Sequence, residues 1–387
     1  MKYNFDEIID RSNTACVKYD LRQFFFGNDQ VIPMWVADMD FRTPHFILEA
    51  IRNRASHEIL GYSIRPESYF NSLIGWLKRR HHWEIRKEWV AFSPGIVPAL
   101  NMAVLAFSKR RDKIIIQPPV YFPFFDAVKK HGRRLVFNQL IMENGRYRMD
   151  FENLEQSCRE GAKMLIISNP QNPGGNAWTA AELKTMADIC LKYNVLMISD
   201  EIHGDLVNRG YKHTVLASLS PEIAENTVTM TAPSKTFNMA GMATASVIIS
   251  NPTLMKKYRK VLDAMHIELG NVFGNVASEA AYTFGDAWLE QLLDYIEGNI
   301  RTLTGFAAQH LPLVRVIIPE ATYMVWLDFS ATGMNDKELK KFMIEKAGLG
   351  LNEGIQFGPG GEGFMRLNLA CPRATLLQAL EQLKKAF

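Results

Sequence analysis

The chain has 387 residues, of which 47% are hydrophobic and 22% are charged, and its formal net charge at pH 7 is +3. This composition is typical of a globular protein, and the length allows one large domain and one smaller domain. Because the net charge is small and the basic residues are scattered, we expect neither a nucleic-acid partner nor a membrane-surface partner. No segment has the roughly twenty uninterrupted apolar residues that a membrane-spanning helix needs.

The four cysteines lie far apart, with no CxxC pair and no histidine at metal-ligand spacing. Their spacing predicts neither a metal site nor a disulfide framework, and it is typical of a reducing compartment. The first eight residues are polar and acidic and contain no apolar signal core. We therefore expect a cytoplasmic protein.

The first forty residues predict an arm, followed by a helix that begins near Thr43–Pro44 with Thr43 as its N-cap. A second helix is predicted over 67–83 by its apolar spacing. From about residue 90, helical segments alternate with short apolar runs that start at Lys113, Lys163, Val195, Thr227 and Ala245. Because these runs show no alternation of apolar and polar residues, they predict strands covered on both faces, and hence a mainly parallel central sheet.

A long helical pattern covers residues 285–311, and the tail mixes strand and helix patterns. We predict an α/β fold with the parallel sheet in a large domain, and a smaller α+β domain. The expected division places the arm and part of the small domain in residues 1–45. The large domain then covers 46–285, and the small C-terminal domain covers 286–387.

Three of the predicted strands end in a polar turn, and these turns carry Asn172, Asp200 and Lys235. A single lysine after a strand is more often a surface charge, and a single aspartate there is more often a cap or turn residue. Their occurrence in this order, after the turn Asn169–Gly175, favours a shared site where the strand ends meet.

A lysine amine and a carboxylate are the groups that hold pyridoxal 5′-phosphate (PLP), so this pairing indicates a PLP enzyme. Lys235 would form the imine with the cofactor and later act as general base and acid. Asp200 would keep the pyridine nitrogen protonated, because a carboxylate favours a neighbouring cation. Asn172 is either a donor to the ring oxygen or an ordinary turn residue.

A phosphate site is predicted at the start of the apolar helix that follows Ser93. The free N–H groups of Gly95, Ile96 and Val97 would bind the anion there, although a Pro-Gly pair before a helix can also be an ordinary turn. Ser234 could add a hydroxyl donor.

Three further side chains are candidates for the same site. Tyr121 follows a strand and would either stack on the cofactor ring or belong to the core. His203 is either a cofactor neighbour or a buried histidine with its own partners. Arg366 lies in an apolar strand pattern and needs an anionic partner, for which a substrate carboxylate is well suited.

These motifs resemble the fold-type I PLP enzymes, the aspartate-aminotransferase-like superfamily, over essentially the whole chain. Within it they are most similar to the cystathionine β-lyase (C–S lyase) group. The segments that carry this resemblance are Pro33–Phe41, Asp200–His203, Ala232–Asn238 and Arg366–Arg373.

The resemblance implies that Lys235 is the Schiff-base lysine and that Asp200 contacts the pyridine nitrogen. It implies that Asn172 binds the ring oxygen and that Tyr121 is the stacking ring in the catalytic centre.

On the substrate side, the resemblance implies that Arg366 holds the α-carboxylate and that Ala37 contacts the substrate. It also implies that Tyr62 reaches the phosphate in the neighbouring subunit, which makes the enzyme a homodimer.

Two positions depart from the usual aminotransferase pattern. Ala243 stands where aminotransferases carry a phosphate-binding arginine, and His203 stands where they carry tyrosine. Both departures resemble the lyase group and imply a lyase that converts L-cystathionine or a related cysteine thioether to a thiol, pyruvate and ammonia. An aminotransferase and a regulatory protein on the same scaffold are the two alternatives.

Overall fold

The computed structural model describes all residues from Met1 to Phe387. The β-strands are β1 (Ile32–Pro33), β2 (Val90–Ser93), β3 (Lys113–Ile116), β4 (Arg134–Phe137), β5 (Ile141–Glu143), β6 (Arg146–Arg148), β7 (Met164–Ser168), β8 (Leu196–Asp200), β9 (Thr227–Thr231), β10 (Ala245–Ile248), β11 (Arg315–Ile317), β12 (Met324–Asp328), β13 (Leu349–Gly350), β14 (Asn352–Glu353) and β15 (Phe364–Asn368). The α-helices are α1 (Val17–Asp20), α2 (Arg22–Phe26), α3 (His45–Ala55), α4 (Glu67–His81), α5 (Ile96–Phe107), α6 (Pro123–Lys129), α7 (Phe151–Arg159), α8 (Ala180–Lys192), α9 (Pro221–Glu225), α10 (Pro233–Thr236), α11 (Pro252–Met265), α12 (Val272–Phe284), α13 (Asp286–His310), α14 (Asp336–Lys341) and α15 (Arg373–Ala386).

Seven strands form the central sheet, in the order β2-β10-β9-β8-β7-β3-β4. The neighbours from β9 to β4 pair in parallel, and β10 alone runs antiparallel to the strands on either side of it. The prediction of an α/β fold with a mainly parallel central sheet is therefore confirmed.

Both faces of this sheet are covered, as the apolar runs indicated. In β3, Ile114 and Ile116 belong to one core cluster with residues of α5, α6 and α11. Ile115, between them, belongs to a different cluster that contains residues of α7 and α8. Successive side chains of a strand point to opposite faces, so a run of isoleucines places apolar groups in both layers.

Two predicted helix starts show how far local capping rules reach. Thr179 and Glu182 form the reciprocal capping box at the start of α8. Thr43 does not cap α3, so that prediction is wrong. Its hydroxyl instead donates to the backbone oxygen of Asn238, 2.9 Å away, and helix α3 begins at His45.

A second sheet, entirely antiparallel, has the order β11-β12-β15-β14 and lies in the C-terminal part of the chain. The N-terminal arm reaches this part, because β1 pairs in parallel with β13. Helix α13 begins after Gly285 and ends at His310, close to the predicted range. None of the helices combines the length and the apolar character needed to cross a membrane.

The start of α13 is tightly packed, which yields a test of the fold. A methyl group added at Gly285 would overlap the buried ring of Phe237 and the carbonyl of Ala281. We expect Gly285→Ala to lower the free energy of unfolding by about 1–3 kcal/mol, measured by urea denaturation. The control is Gly305→Ala in the same helix, where the new methyl group meets no atom within 4 Å. In Gly305→Ala the free energy of unfolding should rise by about 0.5–1 kcal/mol. Equal decreases in both variants would contradict the packing argument.

Candidate active site

The turns that carry Asn172, Asp200 and Lys235 meet at one edge of the central sheet. Asp200 is the last residue of β8, and it is paired with Ser168 of β7 on one side and Met230 of β9 on the other. Asn172 lies in the turn after β7, and Lys235 lies in α10, directly after β9. The carboxyl ends of three neighbouring parallel strands thus form the site, as they do in other open α/β sheets.

A cavity of about 190 Å³ opens at this edge, which is room for a small molecule. Ten of the side chains or backbone segments proposed from the sequence line it: Ala37, Gly95, Ile96, Val97, Tyr121, Asn172, Asp200, His203, Ser234 and Lys235.

Lys235 is a buried amine with an unusual protonation equilibrium. Its Nζ donates to the carbonyl oxygen of Ala37 at 2.6 Å. Burial lowers the pKa of Lys235 to about 8, and the positive charge of Arg366 acts in the same direction, against the weaker effects of Asp38 and Asp200. A larger fraction of this amine than of a lysine in water is therefore neutral, and hence nucleophilic, near neutral pH.

Asp200 is a buried carboxyl group without a hydrogen-bonded cation. Burial raises its pKa to about 7, although the backbone N–H of Ile202 donates to Oδ1 at 3.1 Å and Lys235 also favours the charged form. A cation placed beside this group would lower the pKa again and hold the carboxylate charged.

His203 and Tyr121 are the two rings of the cavity wall. Burial, with smaller contributions from Lys235 and Arg366, lowers the pKa of His203 to about 3, so the imidazole is neutral. Its Nδ1 is buried and has no hydrogen-bond partner within the chain. Burial also raises the pKa of Tyr121, which keeps its hydroxyl protonated.

Arg366 does not line the cavity itself but is joined to it through Asn172. Its Nη1 donates to Asn172 Oδ1 at 3.0 Å, and its Nη2 donates to Asn352 Oδ1 at 2.7 Å and to the carbonyl oxygen of Trp35 at 3.0 Å. The guanidinium stacks over the ring of Phe357. Its Nε is buried without a partner. Three neutral acceptors therefore fix the guanidinium while leaving N–H groups for an anion.

The first turn of α5 presents backbone N–H groups to the cavity. Gly95 precedes the helix, and no side chain caps its N-terminus. The N–H groups of Ile96 and Val97 lie in the first turn, where no helical carbonyl can accept from them, and they attract anions. Ser234 lies across the cavity in α10.

Tyr62 is not brought into this cavity. Its side chain is fully exposed, on the segment between α3 and α4. A contact with a second subunit is not tested by one chain, so the role implied for Tyr62 stays a prediction.

Sequence reasoning missed the contacts that hold the arm against the site. Asn368 Nδ2 donates to the carbonyl oxygens of Val36 and Asp38, and Tyr323 Oη donates to that of Ala37. We call the segment Trp35–Met39 the strap, because its backbone carbonyls accept hydrogen bonds from side chains of the site. Asn368 stands two residues after Arg366, so on a strand it faces the same side, and this spacing was the available signal.

Comparison with known proteins identifies the family to which this chain belongs. The model of the aminotransferase class I and II family matches residues 29–383, and the chain belongs to this family.

Similar proteins come from several bacteria. The chain is 43% identical to cystathionine β-lyase PatB of Bacillus subtilis (strain 168) over 99% of both chains. It superposes on the crystal structure of cystalysin from Treponema denticola, which contains pyridoxal 5′-phosphate. The TM-score is 0.97 and the identity 38%, with 100% of this chain and 99% of that chain covered. The PLP-bound C–S lyase of Staphylococcus hominis gives a TM-score of 0.94 at 35% identity, covering 100% and 98%.

The protonation of Lys235 can be measured directly in protein freed of any cofactor. Only the neutral amine reacts with formaldehyde and a mild hydride donor, and burial stabilises that form. We expect the labelling rate of Lys235 to rise with pH and to reach half of its maximum near pH 8, as followed by peptide mass spectrometry. Lysine amines in water, with a pKa of about 10.4, provide the internal control. A rate that rises only above about pH 10 would contradict this result.

Proposed function

We propose that this chain is a PLP-dependent carbon–sulfur β-lyase that cleaves L-cystathionine or a related cysteine thioether. The observation that carries the proposal is a buried, partly neutral amine and a buried carboxyl group without a hydrogen-bonded cation in one cavity. The 43% identity to a cystathionine β-lyase over nearly the whole of both chains supports the reaction. The overall change is thioether plus water to thiol, pyruvate and ammonia.

The residues of the cavity fit pyridoxal 5′-phosphate. Asp200 suits the pyridinium nitrogen, because that cation would compensate the carboxylate that burial disfavours. The first turn of α5 and the hydroxyl of Ser234 suit the phosphate, Tyr121 suits the face of the ring, and Asn172 suits its oxygen. When bound, the cofactor supplies an aldehyde that captures the substrate amine and a protonated ring that accepts electrons from Cα.

The side chains of this chain would then orient the substrate and move one proton. Arg366 would hold the α-carboxylate, using Nε and the N–H groups that its neutral partners leave free. Lys235 Nζ would take the proton from Cα as general base and return it to the departing sulfur as general acid. Its pKa of about 8 lies near working pH, where both protonation states are available. His203, being neutral, adds no competing charge.

The choice of a lyase over an aminotransferase depends on fewer residues. Lys235, Asp200 and Arg366 would serve either reaction. Ala243 and His203 line the cavity with a methyl group and a neutral imidazole, and both positions resemble the lyase group. The lyase relatives favour the same choice.

The assembly that we propose is a homodimer in which Tyr62 reaches the phosphate site of the partner. Tyr62 is fully exposed, and Ile59, Leu60 and Ile64 beside it are 70%, 59% and 77% exposed. A run of exposed apolar side chains is typical of a surface that a partner covers, and it supports this arrangement.

The remaining proposals concern organisation and location. We propose the division into an N-terminal arm with part of the small domain (1–45), a large cofactor-binding domain (46–285) and a small domain (286–387). The location of the central sheet within the second range, and of the second sheet within the third, supports this division. The dispersed cysteines, all free thiols, support a cytoplasmic location, and the substrate class implies no nucleic-acid or membrane partner.

The reaction has a direct test. Purified enzyme loaded with PLP should release pyruvate and ammonia in equal amounts from L-cystathionine without any added 2-oxo acid, as measured by coupled dehydrogenase assays. Lys235→Ala is the control and should lose both this release and the visible absorbance of the bound cofactor. Turnover that appears only with a 2-oxo acid as co-substrate would establish the aminotransferase instead.

A second test concerns the charge on Asp200. Asp200→Asn keeps the size of the side chain but removes the charge that would hold the ring nitrogen protonated. We expect kcat to fall by at least about a hundredfold while the Kd for PLP changes much less. The matched control is Asp188→Asn in α8, where the carboxylate is paired with Lys184 at the surface. Near wild-type kcat in Asp200→Asn would place the electron sink elsewhere.

A third test addresses the shared site. Tyr62→Phe should weaken retention of PLP during dialysis, since the phosphate loses a hydroxyl donor. A dimer of one Tyr62→Phe subunit and one Lys235→Ala subunit contains one site with both native residues. Random mixing should therefore place both native residues in about a quarter of all sites. The activity of the mixture should then exceed the average activity of the two parent variants. A fully active monomer, or a mixture no better than its parents, would contradict the shared site.

A further inference from the structure

A carboxylate that does not line the cavity is hydrogen-bonded to the residue that follows Lys235. Asp205 Oδ1 accepts from Trp76 Nε1 at 3.0 Å and lies 2.7 Å from His81 Nε2. Its Oδ2 accepts from Thr236 Oγ1 at 2.8 Å. The side chains of His81 and Asp205 are only 9% and 8% exposed, and Thr236 is fully buried.

This carboxylate joins three separate pieces of the chain. Trp76 and His81 belong to α4, and Thr236 is the residue after Lys235 in α10. Asp205 itself lies in the turn that follows β8 and starts at Asp200. One side chain therefore ties the turn of Asp200 and the helix of Lys235 to the same helix, α4.

A second buried pair lies beside the first. Glu201 Oε2 is 2.9 Å from His213 Nε2, and Glu201 Oε1 accepts from Ser199 Oγ at 2.7 Å. The rings of His213 and His81 meet edge to face, with centroids 5.2 Å apart. The turn from Asp200 to Asp205 is thus held by a buried carboxylate at each end.

We infer that Asp205 is a positioning residue that fixes the distance and direction between Asp200 and Lys235. This inference rests on the proposed function, in which those two side chains act on opposite ends of one rigid cofactor. Asp205 touches neither the cavity nor the reacting atoms, and it acts through Thr236 on one side and through its own turn on the other.

The charge of Asp205 favours a positioning role over one in which the side chain only fills space. Burial alone would raise the pKa of Asp205, but the hydrogen bonds from His81, Thr236 and Trp76 outweigh it and lower the pKa. The group is therefore a carboxylate at neutral pH, and hydrogen bonds to a charged acceptor are about twice as strong as neutral ones. Any movement of this buried carboxylate would lengthen at least one of its three hydrogen bonds, so the three donors hold it in place.

The experiment removes the link to Lys235 and leaves the carboxylate in place. Thr236→Val keeps the shape of the side chain but takes away the hydroxyl, whereas Thr236→Ser keeps the hydroxyl. We expect Thr236→Val to lower kcat for L-cystathionine about tenfold or more, with KM within about twofold, because reacting groups displaced by a fraction of an ångström lose rate rather than affinity. The rate at which cofactor-free protein captures PLP at Lys235, followed by visible absorbance, should fall as well. Thr236→Ser should restore both values.

A matched control separates positioning from general loss of stability. Thr227 is buried at the far end of β9, and its hydroxyl donates to the carbonyl oxygen of Ile223 at 2.7 Å. Thr227→Val should lower the melting temperature but keep wild-type kcat and capture rate. Wild-type values in Thr236→Val, or the same loss of kcat in Thr227→Val, would overturn the inference.

Asp205→Asn gives an independent measurement and carries the test should Thr236→Val fail to fold. It keeps the size of the side chain and withdraws the charge, and we expect at least the same tenfold fall in kcat at unchanged KM. Wild-type kcat in folded Asp205→Asn would overturn the inference. A wild-type enzyme that neither captures PLP nor releases pyruvate would instead overturn the proposed function.

Discussion

Burial of charged groups at the carboxyl edge of the central sheet is the constraint on which this site depends. The same desolvation that lowers the pKa of Lys235 raises that of Asp200 and lowers that of Arg366. Because burial disfavours the charged form of each group, acid and base are shifted towards one another and towards neutral pH. Burial is the largest cause of all three shifts, and neighbouring charges such as that of Arg366 on Lys235 add to it.

The strap shows how the N-terminal arm contributes to the burial of the site. Its backbone carbonyls accept from Arg366, Asn368, Lys235 and Tyr323, and the side chain of Asn238 pairs with both the N–H and the oxygen of Met39. Backbone groups buried away from water need partners, so the arm and the site satisfy one another. The arm is therefore part of the wall of the site, although it is remote in sequence from every other residue there.

The fold, and the meeting of Asn172, Asp200 and Lys235 at one edge of the sheet, could be predicted from the sequence because both follow from short-range patterns. Unbroken apolar runs identify buried parallel strands, and a strand end fixes where Asp200 must lie. Asp205 had no such signal, because its partners Trp76 and His81 are more than a hundred positions away and belong to an ordinary amphipathic helix. Tyr62 illustrates a different limit, because its predicted role depends on a contact between two copies of the chain, and its exposure in one copy does not test that contact.

The charged groups of the site differ from those around it, because the chain does not pair them with an opposite charge. In the strap and directly after it, Asp38 and Asp40 are paired with Arg11 and Lys18 at 2.6–2.7 Å, so the chain neutralises its own charges there. Asp200, which lines the cavity, has no hydrogen-bonded cation, and the partners of Arg366 next to the cavity are all neutral. Leaving buried charge without a counter-ion costs stability, and proteins retain it where a ligand supplies the opposite charge. In the function that we propose, a pyridinium nitrogen would supply the charge opposite to Asp200, and a substrate carboxylate the charge opposite to Arg366.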